Sequence, residues 1–333
     1  MNPMTNTRSI NKKSLNTKIR VQDYDSNLEY DYRKYWKDRE YENQSERNIL
    51  SKLLKDNNLF KSKPNNSRSF IDIGGGYGRL TDLYQNKYSY SILFDYSFSN
   101  LKKAEGKNNL DSNVFKVCGD IYNMPFKDGS ISSGMLVRVL HHIENPDLAI
   151  SEISRVISNS FILEFANKDH MLSRMRHFKD KDFRKQDIYS IPHKNDSQGF
   201  LNDQIFLNFS PSYIIKTLVK NHLIVKKVFS ASNFRQKYFK KLFNTNILIS
   251  LDNKFGIIFS KTYFGPSIFL YLLKDDNLKN NFLDKAKDIK DIFKDSLCCP
   301  ICHGDLKNLY SKKLVCQKCG KSYDIKDGIY IFK

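Results

Sequence analysis

Long apolar runs are missing from this chain of 333 residues: no stretch reaches the roughly 18 to 20 that would span a bilayer. The N-terminus is rich in Asn, Thr and Lys and lacks the apolar core of a secretory signal, so a cytoplasmic protein is expected, with residues 1–28 as a disordered tail. Cysteine is scarce, six in all, and four of the six fall in two close pairs, which makes a disulfide framework a poor reading. No RNA-binding fold signature is present. Glutamate is absent from 171–245, where 15 Lys and Arg face 5 Asp. The whole chain carries +19, enough to raise the question of an anionic partner.

What is there begins with Ile71-Asp72-Ile73-Gly74-Gly75-Gly76-Tyr77-Gly78-Arg79-Leu80. A short apolar stretch ends in an acid and then in glycines at alternate positions, the pattern of a strand turning tightly into a helix over an anion-friendly loop. The spacing is G-x-G-x-G, not the G-x-G-x-x-G of dinucleotide sites. Asp95 closes the next apolar run, 17 residues beyond Gly78, where a strand-end carboxylate can accept two ribose hydroxyls. NAD enzymes use the same device, so Asp95 alone does not choose between nucleotides.

Together with Gly119-Asp120-Ile121-Tyr122-Asn123-Met124-Pro125-Phe126, these segments resemble the class I S-adenosylmethionine (SAM) dependent methyltransferases. They are most like the broad family that includes the ubiquinone and menaquinone biosynthesis enzymes. The resemblance implies an α/β fold, a Rossmann-like seven-stranded sheet with helices on both faces, over residues 29–273. It also implies SAM contacts from Asp72, Gly74, Gly75, Gly76, Gly78, Asp95, Tyr96, Asp120, Ile121 and Arg138. Asp120 would accept from the adenine amino group, and the methionine end would lie near Asp72 and the amides after Gly76.

Periodicity predicts strands at Ser69 to Ile73, Tyr90 to Asp95, Val114 to Gly119, Ile131 to Val137 and Ser160 to Phe165, with helices between them. Pro146 to Val156 reads as a helix with an apolar stripe of Leu148, Ile150, Ile153 and Val156. Leu223 to Phe229 and Ser267 to Leu273 read as a final antiparallel pair, with insertions at about 168–210 and about 234–264. Tyr30 to Leu54, with Trp36, reads as a helix, and the family often uses such a helix to lid the cofactor. In the run Leu136-Val137-Arg138-Val139-Leu140-His141-His142, His141 is a candidate base facing the acceptor, because imidazole titrates near neutral pH; a structural role for the pair is the competing reading.

Cys299-Pro300-Ile301-Cys302 and Cys316-Gln317-Lys318-Cys319 lie thirteen residues apart, close to four-thiolate zinc spacing. With Tyr323-Asp324-Ile325-Lys326-Asp327-Gly328-Ile329 behind them, residues 296–333 resemble the small zinc-ribbon activators of tRNA, rRNA and protein methyltransferases. Residues 274–295 would link this ribbon to the rest, and four sulfurs leave zinc no open catalytic position.

The methyl acceptor stays open between a small molecule and a polymer. The basic stretch with interleaved aromatics, Arg174, Arg176, His177, Phe178, Lys179, Phe183, Arg184, Lys185 and Tyr189, suits RNA, an anionic metabolite or a lipid surface. A catalytically silent SAM-binding scaffold, whose ribbon recruits a partner, is the reading from another class.

Overall fold

The computed structural model describes residues 35–55, 69–104, 110–179, 193–194, 207–275, 288–309 and 312–333. The expected tail at 1–28 lies outside them, as do Phe183, Arg184, Lys185, Tyr189 and the side chains of Arg176, His177, Phe178 and Lys179.

The elements run in the order α1 (Glu40–Lys55), β1 (Ser69–Ile73), β2 (Tyr90–Asp95), α2 (Phe98–Lys103), β3 (Val114–Gly119), β4 (Ile131–Leu136), α3 (Pro146–Val156), β5 (Ile157–Ala166) and α4 (Met171–Lys179). After them come β6 (His193–Lys194), β7 (Leu207–Asn208), α5 (Pro211–Lys220), β8 (Leu223–Ala231), α6 (Lys237–Leu242), α7 (Thr245–Thr262) and β9 (Ser267–Lys274). The chain closes with α8 (Ile289–Asp295), β10 (Leu306–Leu309), β11 (Lys313–Cys316), β12 (Ser322–Lys326) and β13 (Ile329–Phe332).

Seven strands form a sheet in the order β3-β2-β1-β4-β5-β9-β8, all running one way except β9, which pairs antiparallel with both β5 and β8. This is the expected Rossmann-like arrangement. Alternation along each strand sends side chains to two faces. Ile71, Ile73, Ile92 and Phe94 join α3, α5 and α8 on one face, while Phe70, Met135, Ile162, Phe269 and Tyr271 join α1 on the other. Helix starts follow local chemistry: Asn145 accepts from the Leu148 amide with Pro146 opening α3, and Ser210 accepts from the Tyr213 amide with Pro211 opening α5. No helix among the described residues is long and apolar enough to cross a membrane.

Three expectations need correction. The glycine loop does not enter an α-helix; only one 3₁₀ turn, Thr81–Leu83, lies between β1 and β2. That turn is too short to carry a helix macrodipole, so the dipole end expected behind the loop is missing. Likewise no helix bridges β3 and β4. Leu148 is 46% exposed, because the buried stripe of α3 is Pro146, Ala149, Ile150, Ile153 and Val156. Leu148 sits two residues before Ile150, roughly 200° around the helix and off that face.

The C-terminal ribbon is built into the sheet. β13 pairs parallel with β3, Ile329 opposite Lys116 and Phe332 opposite Gly119, and β12, β11 and β10 continue antiparallel from it. The sheet thus reaches eleven strands. Both faces of β13 are covered: Ile329 packs with Leu93, Leu101, Ala104 and Cys118, while Tyr330 and Phe332 enter the core on the other side. Within the stretch expected to link the modules, α8 takes the place a β3–β4 crossover helix would fill. Phe293 is fully buried, Lys127 N–H donates to the Ser296 carbonyl at 2.9 Å and Cys298 N–H to the Pro125 carbonyl at 3.0 Å.

Candidate functional site

A cavity of about 130 Å³ opens at the carboxyl ends of β1, β2 and β4. A single water needs roughly 10 to 15 Å³ on this measure, so the space suits a ligand. Parallel sheets place ligands at this edge because the strands end there and their loops diverge.

The glycine loop makes one wall. The Gly74 and Gly75 amides both donate to the Phe94 carbonyl, at 2.7 and 3.2 Å, which folds the loop back over β2. Gly74 has φ +72°, and a Cβ there would lie 2.2 Å from Val139 Cγ2. A side chain is excluded twice, by conformation and by space. Asp95 ties the loop from below: its Oδ2 accepts from the Gly76 amide and its Oδ1 from the Ser97 amide, each at 2.8 Å.

Asp72 is 2% exposed and its carboxylate accepts from the Tyr84 hydroxyl at 3.1 Å. Burial pushes its pKa up to about 7, against the opposing pull of the Tyr84 hydrogen bond and of Arg79. An acid held so close to neutrality beside a cavity marks a ligand-facing position.

The opposite wall comes from Trp36, in the turn before α1, with Arg79 and Arg138; α1 backs it with Glu46, a residue the sequence did not single out. The Glu46 side chain is fully buried between two guanidiniums, with Arg138 Nε at 2.6 Å and Arg79 at 3.1 Å. Arg79 also lies over the Trp36 ring, 3.9 Å from its centroid. Arg138 stands just past the end of β4 with φ +63°, and its amide donates to Glu164 Oε2 at 2.9 Å, while Glu164 Oε1 accepts from Ser267 at 2.6 Å. A non-glycine residue in that conformation costs of order 1 to 3 kcal/mol and persists only where its surroundings over-determine it, as they do here.

Of the residues expected at the site, Asp72, Gly74, Gly75, Gly76, Asp95, Tyr96, Ile121 and Arg138 line the cavity together. Gly78, Asp120 and His141 do not. Gly78 amide donates to the Gly75 carbonyl and so closes the loop from outside. Asp120 turns one oxygen to its own loop, accepting from the Tyr122 amide at 2.9 Å. His141 is 4% exposed and faces the interior, where burial, with His142 and Arg138 adding to it, pushes its pKa well below the usual value; it is His142 that lines the cavity. A 3₁₀ turn at Leu140–His142 sets the two imidazoles in different directions, and adjacent identical residues give no sequence signal for which one points out.

The thiols of Cys299, Cys302, Cys316 and Cys319 all lie within 4.8 Å of one another, with 3.4 Å between Cys302 and Cys316 and 3.7 Å between Cys299 and Cys319. Tetrahedral zinc with Zn–S bonds near 2.3 Å calls for sulfurs about 3.8 Å apart, which this cluster can meet. A Cβ at Gly304 would lie 3.0 Å from the Cys316 sulfur, so the turn admits only glycine beside the cluster. Cys298 and Cys118 are buried outside it.

Residues 71–165 match the family model described as a methyltransferase domain, and residues 294–328 the one described as Trm112p-like protein. The chain carries a SAM-dependent methyltransferase domain followed by a Trm112p-like domain. An uncharacterized protein of Methanocaldococcus jannaschii is 29% identical over 124 residues, 36% of this chain, and the match spans about half (51%) of that relative's length. Among solved structures, magnesium protoporphyrin IX methyltransferase from Synechocystis, with bound SAH, is 15% identical with TM-score 0.47, over 73% of this chain and 93% of that one. A complex of the Haloferax volcanii Trm112 methyltransferase activator with a methyltransferase gives 12% identity and TM-score 0.45, over 74% of this chain and 98% of that one.

Proposed function

We propose that this chain transfers a methyl group from SAM to an acceptor bound at the cavity between the glycine loop and Trp36, and that four of its six cysteines hold a structural zinc. The observation that carries the reading is the loop cradle: Gly74 admits no side chain while Asp95 clamps Gly76 from beneath.

The expected contacts at the cavity have a chemical basis in this arrangement. Asp72 faces the donor's amino group. A carboxylate offers about four lone-pair positions, so Asp95 can hold its two amides and still accept from ribose. Tyr96 and Ile121 flank the adenine position, whereas Asp120 does not line the cavity and keeps one oxygen on the Tyr122 amide.

Bound SAM supplies a methyl group already electrophilic on its sulfonium, so the chain has chiefly to align the acceptor and exclude water. Trp36, Arg79 and Arg138 close the cavity on the acceptor side. Where the acceptor atom carries a proton that must leave, His142 is the histidine placed to receive it, in preference to His141.

The zinc cluster acts by position. Its strands continue into β13, which runs beside β3 and buries Ile329 and Phe332 against the methyltransferase core. The ribbon thereby braces the strand that ends at the adenine segment.

Two measurements test the reading. Zinc-loaded protein should bind SAM by calorimetry; no binding removes the proposal, and binding without any turnover leaves the silent scaffold. Labelled methyl from SAM, followed into fractionated lysate of a deletion strain, then separates the acceptors: nuclease-sensitive label assigns RNA, and label in an organic extract assigns a small or lipid-borne molecule.

A further inference from the structure

Large apolar side chains stand in solvent on α6 and α7. Tyr238 is 68% exposed, Leu242 56%, Phe243 39%, Ile247 44%, Phe255 42% and Ile258 57%. The spacing along α7 explains why: Ile247, Leu251, Phe255 and Ile258 share the outer face, while Leu248, Asp252 and Ser260 are buried on the inner one. The inner face is anchored, Asp252 accepting from the Ser232 and Asn233 amides at 3.0 Å each, so the outer face is held outward. Exposed apolar surface on this scale within one segment marks an interaction site.

The patch has a charged rim of one sign. Lys237, Lys241, Lys254 and Lys261 are exposed around it, and Asp252, the one acidic residue between 234 and 262, is buried. It also has a place relative to the site. Ala231, Ser267 and Ala166 pair in register at the carboxyl edge of the sheet, so the insertion between β8 and β9 rises from the same edge as the cavity. Lys240 reaches across to Glu42 on α1, the helix whose Glu46 holds Arg138 at the cavity wall.

We infer that this face of α6 and α7 docks on an anionic lipid bilayer, bringing the cavity to an acceptor held in or at the membrane. The naming of a membrane-borne acceptor rests on the methyltransferase reading; the docking does not. An interfacial element needs apolar side chains to enter the headgroup boundary and lysines to meet anionic lipid, and this face presents both. A second copy of the chain would bring like-charged rims together across a two-fold axis. RNA would want a run of stacking platforms, whereas half of these exposed side chains, Leu242, Ile247 and Ile258, are aliphatic and the cations beside them are mostly lysines.

The test is flotation of full-length, zinc-loaded protein with vesicles of phosphatidylcholine alone or mixed equally with phosphatidylglycerol. The expected result is binding to the mixed vesicles about tenfold or more above that to neutral ones, weakening with salt. Ile247→Ser with Ile258→Ser should reduce it about tenfold, and Lys237→Glu with Lys241→Glu should abolish the preference for anionic lipid. All four side chains are exposed or form no part of the cavity, and unchanged melting confirms folding. Failure to float with anionic vesicles, or equal flotation of both variants, overturns the inference. So does a vesicle-independent dimer, or RNA binding, that the Ile substitutions remove. SAM titration of the same preparation is a separate reading, so loss of one does not imply loss of the other.

Discussion

The rings of Phe293 and Phe115 stack face to face, with centroids 4.0 Å apart and an angle of 1° between them. One comes from the helix that leads into the zinc ribbon, the other from β3 of the methyltransferase sheet, and Tyr90 and Tyr330 meet Phe293 edge-on. The two domains therefore share one core at this point.

Phe293→Ala should accordingly weaken the whole chain and not the ribbon alone. Removing a fully buried Phe costs about 3 to 5 kcal/mol. Denaturant unfolding followed by tryptophan fluorescence, which reports from Trp36 at the far wall of the cavity, should shift to lower midpoint. An unchanged Trp36 transition beside a separately melting ribbon would show the modules to be independent.

Metal removal follows the same path from the other end. Four thiolates brought within 4.8 Å repel one another unless a cation holds them, and structural zinc supplies about 10 to 16 kcal/mol in small peptides. Chelation should loosen β10 to β13 and leave the outer edge of β3 without its partner strand. Hydrogen exchange checks this: the alternate amides of β3 that face β13 should lose protection after chelation, while those of β5, well inside the sheet, should keep it.

The parts of this molecule written in local pattern were legible in the sequence. Seven strands, α3 from Pro146 to Val156 and the two pairs of clustered cysteines each rest on residues within a few positions of one another. What failed to show depends on distance. Glu46 reads as one more charge on a polar helix until β4 places Arg138 against it, 92 residues away. The β13–β3 pairing joins Ile329 to Lys116, and nothing near either residue announces the other. His141 and His142 are alike in sequence, and only the 3₁₀ turn decides which meets the cavity. The missing helix after Gly78 is an error of the opposite kind, a local glycine pattern read as a helix start where the chain makes only the 3₁₀ turn Thr81–Leu83.

Asp72 gives a pH dependence. Burial holds its pKa at about 7, above the ordinary carboxylate value, so the folded chain keeps this proton through a range in which the unfolded chain has released it. Stability from this group therefore falls as pH rises from about 4 toward 7, the sign opposite to that of a salt-bridged aspartate. SAM binding should run the other way, because a cationic amino group beside Asp72 favours the ionised form. Between about pH 5 and pH 7 affinity should rise by up to tenfold per unit. Calorimetric titrations of wild type and Asp72→Asn across that range check it; the variant should bind weakly with a flat profile, and an equal slope in both would assign the proton elsewhere.

Glu46 carries the last prediction. Its side chain is fully buried, and its two oxygens meet Arg79 and Arg138, each only 13% exposed. Breaking a buried ion pair costs about 3 to 5 kcal/mol, mostly because the remaining charge loses its partner out of water. Glu46→Gln keeps the shape and leaves two guanidiniums, one over Trp36 and one on the strained turn at Arg138, with the carboxylates of Asp72 and Glu164 left to offset them. The variant should melt well below wild type. A double change, Glu46→Gln with Arg79→Gln, should recover part of the loss, since it removes one of the unpaired charges along with the carboxylate. Recovery in the double-mutant cycle, and not the single loss, is the reading that identifies electrostatic coupling across this wall; strictly additive losses would show that Glu46 acts by packing alone.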